Sequence, residues 1–239
     1  MRPRGSSEDE TQPVYAPDPL PVAELRVPGT GSTELNLNPT LQLLRQRIIE
    51  TYPGYEAQDV HIGRGFEEPY PVRLNPVIAP PIEGAGGYTT DATYLTSKDF
   101  ELPDGSFLVA YGANHVVTGK AAYTSLSLYA DANAAVHLAS KDHVELWGTA
   151  RDFIDDQPNA DAFYAWAFTR AGDGGPAGPH VTTLDPTDTD YCSVNYGTAG
   201  EVRMRTLKAM ARVYMDPATG TRPPVSELLL DRLLLFTPK

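Results

Sequence analysis

His143 and Glu145, two residues apart ahead of Leu146 and Trp147, are the sharpest pair in this sequence that could do chemistry. On a strand, alternate residues point to one face, so an imidazole and a carboxylate at this spacing could grip one ion. His180, further along, would complete a two-histidine, one-carboxylate set of the kind that holds non-haem iron. All three lie in an acidic stretch. Residues 131–190 hold eleven Asp/Glu against three Lys/Arg, with three of the five histidines, His137, His143 and His180. Gathered carboxylates and imidazoles are what a divalent cation uses. That ion would be iron, copper, manganese or zinc at His143, Glu145 and His180, or calcium at Asp185, Asp188 and Asp190. An EF-hand is excluded, because its glycine and closing glutamate are missing around Asp188 and Asp190. The bland alternative is that a His-x-Glu pair arises by chance and that acidic loops are simply solvated.

A second cluster, Asn114, His115, Thr118 and Lys120, falls in the connection between two expected strands. Such groups could bind a polar ligand, with His115 and Lys120 as the catalytic or substrate-contacting pair. The bland alternative is a hairpin connection in which Asn114 and Gly119 take turn conformations and His115 satisfies a buried carbonyl. Thr118-Gly119-Lys120 resembles the tail of a phosphate loop, but the earlier glycine is missing and no helix follows. A phosphate loop is therefore rejected. Nucleophilic catalysis has little support. No Gly-x-Ser-x-Gly elbow occurs, and the single cysteine, Cys192, has no basic neighbour to lower its pKa. The pairs Asp155-Asp156 and Glu67-Glu68 are adjacent, so on a strand their side chains point apart. The basic set Arg203, Arg205, Lys208 and Arg212 is expected to pair with the acidic surface.

The elements that would position these groups are mostly strands. Residues 1–30 form an expected Pro-rich arm, with prolines at 13, 17, 19, 21 and 28, leading to a single β-rich domain over 31–239. Asn38 and Pro39 begin a helix over 39–51, with Leu41, Leu44 and Ile48 on one face, stopping before Pro53. Residues 53–88 read as turn-rich, with one edge strand over 72–78. Strands are expected at 93–96, 107–111, 121–129, 144–147, 163–168, 191–196 and 233–236. Residues 199–214 put Leu207, Met210, Ala211 and Tyr214 on one helical face, which predicts a C-terminal helix. Tyr164, Trp166 and Phe168 read as one packed face of a strand, which becomes a sugar- or lipid-stacking platform only if it meets solvent. The fold expected is mainly β: a β-sandwich or jelly-roll-like barrel with one N-terminal and one C-terminal helix.

The bulk figures narrow the function. With 19 Lys/Arg against 31 Asp/Glu the chain carries a formal charge of −12, which argues against nucleic acid or an anionic membrane as partner. No apolar run approaches the roughly 18 to 20 residues that cross a bilayer. The start, Met1 to Glu10, has two basic residues and no apolar stretch behind them. It reads as a polar leader on a soluble chain, cytoplasmic or mature after export. Two functions follow as expectations. One is a metal-dependent enzyme, an oxidoreductase by its ligand set, holding a small polar substrate in a barrel or sandwich mouth. The other is a non-catalytic binding or assembly module. It would engage a protein partner, or a second copy of itself, through the Pro-rich arm and an aromatic face.

Overall fold

Pro39 sits in the first turn of the helix α1, Asn38–Thr51, where its missing N–H costs nothing and its fixed φ suits the helix. Leu41, Leu44 and Ile48 are fully buried along one face, and the helix ends at Tyr52 ahead of Pro53. The computed structural model describes residues 33–64, 92–130, 136–170, 172, 175–184, 206–220 and 222–239. The arm, the strands expected over 72–78 and 191–196, the calcium candidates Asp185, Asp188 and Asp190, Cys192, Glu67, Glu68, Arg203 and Arg205 lie outside these residues. A short 3-10 turn, Glu34–Leu37, leads into α1.

After α1 the chain is mostly strand: β1 (Tyr55–Val60), β2 (Ile62–Arg64), β3 (Ala92–Ser97), β4 (Phe100–Glu101), β5 (Phe107–Ala113), β6 (Tyr123–Ala130) and β7 (Val136–Asp142). Two helical turns follow, α2 (His143–Leu146) and α3 (Arg151–Ile154), then β8 (Phe163–Arg170), β9 (Val181–Leu184), β10 (Thr206–Tyr214) and β11 (Arg232–Pro238). One sheet runs β1-β11-β5-β8-β9, antiparallel except for the parallel pair β8–β9. The other runs β2-β3-β10-β6-β7, with β4 also against β10.

Strand parity explains the layering. β5 is buried along its whole length, so both of its faces are covered. Phe107, Val109 and Tyr111 join Leu41, Leu44 and Ile48 of α1 in one core. Leu108 and Ala110 point the other way, into a second core shared with Leu126, Leu128, Leu207, Ala209 and Val213 of the other sheet. β8 and β11 divide likewise. The result is three layers, helix on sheet on sheet, with the five-stranded sheet in the middle. No helix among the described residues is long and apolar enough to cross a membrane.

Two expectations are corrected, and the packed reading of the aromatic strand face holds. The described part of the expected C-terminal helix is no helix: Thr206–Tyr214 is a central strand paired with both β3 and β6. Leu207, Ala209, Ala211 and Val213 alternate into the core, and that burial overrides the helical propensity of the alanines. Residues 144–147 are not a strand, because Asp142 caps α2 and closes a capping box with Glu145. The aromatic face Tyr164, Trp166 and Phe168 is interior, packed between the sheets, so it offers solvent no platform.

Candidate functional site

One end of the molecule collects most of the residues with chemistry. There β5 ends at Ala113, and the connection 114–122 crosses from the first sheet to the start of β6 in the second. The loop is a turn built by its own backbone. Thr118 N–H donates to Asn114 O (3.0 Å), and Lys120 and Ala121 N–H both donate to His115 O (2.8 and 2.9 Å). Gly119 takes φ +80°, open to glycine at little cost, and the Asn114 side chain accepts from Val116 and Val117 N–H. The turn conformation expected at Gly119 is present, but the connection is not a hairpin, since β5 and β6 lie in different sheets and do not pair, and its histidine faces no carbonyl.

His115 is fully buried between two carboxylates. Its Nδ1 lies 2.9 Å from each oxygen of Glu34, and its Nε2 lies 3.8 Å from Asp231 Oδ2, an ion pair too long for a hydrogen bond. Glu34 also accepts from the Thr118 hydroxyl and from Leu229 N–H (2.8 Å). Asp231 accepts from the Tyr164 hydroxyl (2.6 Å). Gly112 makes room for this pair, since a Cβ there would stand 2.6 Å from Asp231 Oδ1. Burial alone would push the His115 pKa down. The flanking carboxyl groups of Glu34 and Asp231 outweigh it, Glu34 foremost, and lift the group to about 10. For Glu34, burial pulls up, but His115 and the three hydrogen-bond donors hold it below the ordinary carboxylate value. Burial and Asp231 raise Tyr164 well above its ordinary value.

At neutral pH this is an imidazolium held between two carboxylates. A general base must be unprotonated and within hydrogen-bond reach of a substrate. His115, charged and 0% exposed, is neither. Lys120 is likewise turned inward, 8% exposed, with Nζ 2.8 Å from Glu227 Oε2. As placed, the two candidate catalytic residues tie together the 3-10 turn before α1, the 114–122 loop, β8 and the segment before β11.

The metal candidates are not brought together. On a helical turn residues two apart lie roughly 200° round the axis, so His143 and Glu145 face different ways. Glu145 is taken up by Lys141 Nζ (2.7 Å) and Asp142 N–H (3.2 Å). His180 Nδ1 bonds Asp152 Oδ2 (2.7 Å) beside Trp166. His143 packs edge-on against Tyr123 and leaves a buried Nδ1 without a partner. Among the described residues no three His, Cys, Asp or Glu stand where they could hold an ion together. Of the basic residues that are described, Lys208 pairs with Asp99 (3.0 Å), and Arg212 donates to Ser127 Oγ and Tyr129 OH.

The same end carries an apolar surface that the sequence reading missed. Five large hydrophobic side chains are exposed among the described residues: Leu35 (51%), Tyr123 (40%), Val144 (65%), Trp147 (51%) and Met215 (41%). Tyr123 and Tyr214 are register partners at the end of β6 and β10, with rings 5.6 Å apart, and Met215 follows. Tyr123 also touches His143, the first residue of α2, and Val144 and Trp147 follow on that turn. Leu35 is next to Glu34. Asn114 Nδ2 donates to His143 O (2.8 Å), which joins the charged loop to the apolar surface.

No family model and no curated protein matches this sequence. Among solved structures, the VPA0106 protein from Vibrio parahaemolyticus is similar over 64% of this chain, at 15% identity and a TM-score of 0.34. The match spans 32% of that protein's length, about a third.

Proposed function

We propose that the chain is a non-catalytic binding module whose recognition surface is the apolar end formed by Tyr123, Val144, Trp147 and Met215. One observation carries the reading: the exposed large hydrophobics of the described residues gather at this end, while the ionisable groups beside them are committed to one another. Aromatic and methionine side chains are the ones enriched where proteins meet proteins. A protein partner fits such a surface better than a small polar substrate, because the buried polar groups beside it, His115, Glu34 and Lys120, are already paired with one another or with Glu227.

The chain has two tryptophans, and only Trp147 is exposed, at 51% against 8% for Trp166. Its emission therefore reports on the surface. Titration with two synthetic probes, a polyproline II peptide and an amphipathic helical peptide, should give a saturable blue shift with at least one. Val144→Asp should abolish it. A flat response to both would overturn the reading.

The second reading is a metal-dependent oxidoreductase; the buried, unpartnered Nδ1 of His143 favours it, and Glu145 and His180 would have to leave Lys141 and Asp152 to share an ion with it. Elemental analysis of protein purified without a metal-affinity tag tests it. Near-stoichiometric iron, copper, manganese or zinc that disappears in His143→Ala would support it, and calcium would direct attention to Asp185, Asp188 and Asp190.

A further inference from the structure

The outer face of the second sheet holds a hydrogen-bonded chain that the apolar end does not use. Leu126 and Leu128 of β6 and Ala209, Ala211 and Val213 of β10 point into the core between the sheets. Ser127 and Arg212, at the alternate positions, lie on the opposite face. Arg212 Nη1 donates to Ser127 Oγ (3.1 Å), Ser127 Oγ lies 2.6 Å from Ser140 Oγ, and Ser140 Oγ lies 2.7 Å from His137 Nε2. A break in strand register builds this chain. Leu128 pairs with Ala139 but Tyr129 pairs with His137, which leaves Leu138 as an extra residue on β7. Residues three apart on a regular strand point to opposite faces, and the extra one turns His137 to the side of Ser140. The Tyr129 ring then packs edge-on against the imidazole, 5.4 Å away.

Donors and acceptors give the chain a direction. A guanidinium can only donate, so the Ser127 proton cannot go to Arg212. Ser127 is 1% exposed, and among the described residues the other partner of its hydroxyl is Ser140 Oγ, which takes that proton. Ser140 is then placed to give its own proton to His137 Nε2. Burial first, then the charge of Arg212, hold His137 below the ordinary histidine value, so the ring is neutral at pH 7 and can accept. A hydroxyl that accepts on one side and gives its proton to a neutral imidazole on the other is an activated nucleophile. Ser140 is also exposed, so a reagent can reach it.

We propose that Ser140 is an acyl-acceptor site, modified by carboxylic esters with good leaving groups. The site is separate from the apolar end and does not depend on the binding reading, since the acyl group stays on the chain. The bond from Ser140 Oγ to the acyl carbon forms as the ester C–O bond breaks. The Ser140 proton passes to His137 Nε2 and from there to the departing oxygen. Ser127 and Arg212 act through Ser140 as positioning residues.

The test is p-nitrophenyl acetate added to the full chain. It should release one equivalent of p-nitrophenolate, and peptide mass spectrometry should map the acetyl group to Ser140. Ser140→Ala, at an exposed position, should remove both signals. His137→Gln should slow the release at least about 100-fold, the low end of what a general base contributes, with the melting curve unchanged. Ser127→Ala should slow it as well, and Ser127→Thr, which keeps the hydroxyl, should restore the rate. An acetyl group mapped to another residue would overturn the proposal, as would a His137→Gln rate within a few-fold of the wild type. Turnover continuing past one equivalent would overturn the stoichiometric site, and with it the non-catalytic reading.

Discussion

Replacing Glu34 by glutamine removes one charge from a site where side-chain exposure is 2% for the carboxylate and 0% for its partner. Glutamine keeps the length and one acceptor oxygen, which can still take Leu229 N–H, while the Thr118 hydroxyl, which donates to the other oxygen, would have to turn and accept from the amide NH2. What is lost is the close carboxylate on a buried imidazolium. Removing one member of a buried ion pair costs about 3–5 kcal/mol. Asp231 still faces Nε2 at 3.8 Å, so the lower end, about 3 kcal/mol, is expected. Glu34→Ala also strands a buried backbone N–H, which adds about 1–3 kcal/mol. For a chain of this size each kcal/mol moves the midpoint by roughly 2–4 °C, so Glu34→Gln should melt about 6–12 °C low and Glu34→Ala lower still. Thermal unfolding by circular dichroism, with urea midpoints alongside, reads both. If Glu34→Gln lost less than about 1 kcal/mol, the value of an exposed pair, the buried charge node would be refuted.

The pH dependence has a definite sign. His115 is lifted from 6.5 to about 10 on folding, so its contribution is complete below pH 6.5 and lost as pH rises through about 10. Glu34, held below 4.5, contributes above that value and is lost as pH falls through its lowered pKa. Urea midpoints should therefore decline on the alkaline side from pH 6.5, and His115→Gln should flatten that limb. A wild-type profile flat from pH 6.5 to 10 would contradict the imidazolium. Gly112→Ala should cost about 1–3 kcal/mol by overpacking, since its Cβ would meet both Asp231 Oδ1 and the Tyr164 ring (3.1 Å); an unchanged melting curve would count against it. Asp142→Ala removes the acceptor for Val144 and Glu145 N–H and should cost about 1 kcal/mol. That variant should also loosen Trp147, visible as faster quenching; an unaltered rate would show that the cap does not set its position.

Elements with a strong, local hydrophobic pattern were legible in the sequence. α1 follows from Pro39 and three buried residues at helical spacing, and the core strands follow from dense β-forming runs at 107–111 and 163–168. β1 carries only a short signal, because Tyr55–Val60 is an edge strand with no fully buried residue and its alternation of Tyr55 and Ala57 with Glu56 and Gln58 breaks at Asp59. β10 was misread because its alanines satisfy both periods, and only pairing on both sides decides between them. α2 had a readable signal: Asp142 three residues before Glu145 is a helix start, and it competes directly with the strand that would have aligned His143 and Glu145. The charged node was out of reach. Glu34 meets His115 across 81 residues and Leu229 across 195, and no local pattern marks an acid for burial. His115 and Lys120 were singled out by type, but their partners turned them inward. Trp147 was read as part of a strand, and only the capped turn puts it in solvent.

In the proposed binding module, residues that hold the fold are distinct from residues that meet a partner, and one variant tests that division most directly. Val144→Asp changes a side chain 65% exposed, outside both cores. Its melting should stay within about 0.5 kcal/mol of the wild type, as for surface changes generally, while the Trp147 response to the probe peptides disappears. A variant that melts well below the wild type yet binds the probes unchanged would make this end structural and contradict the claim.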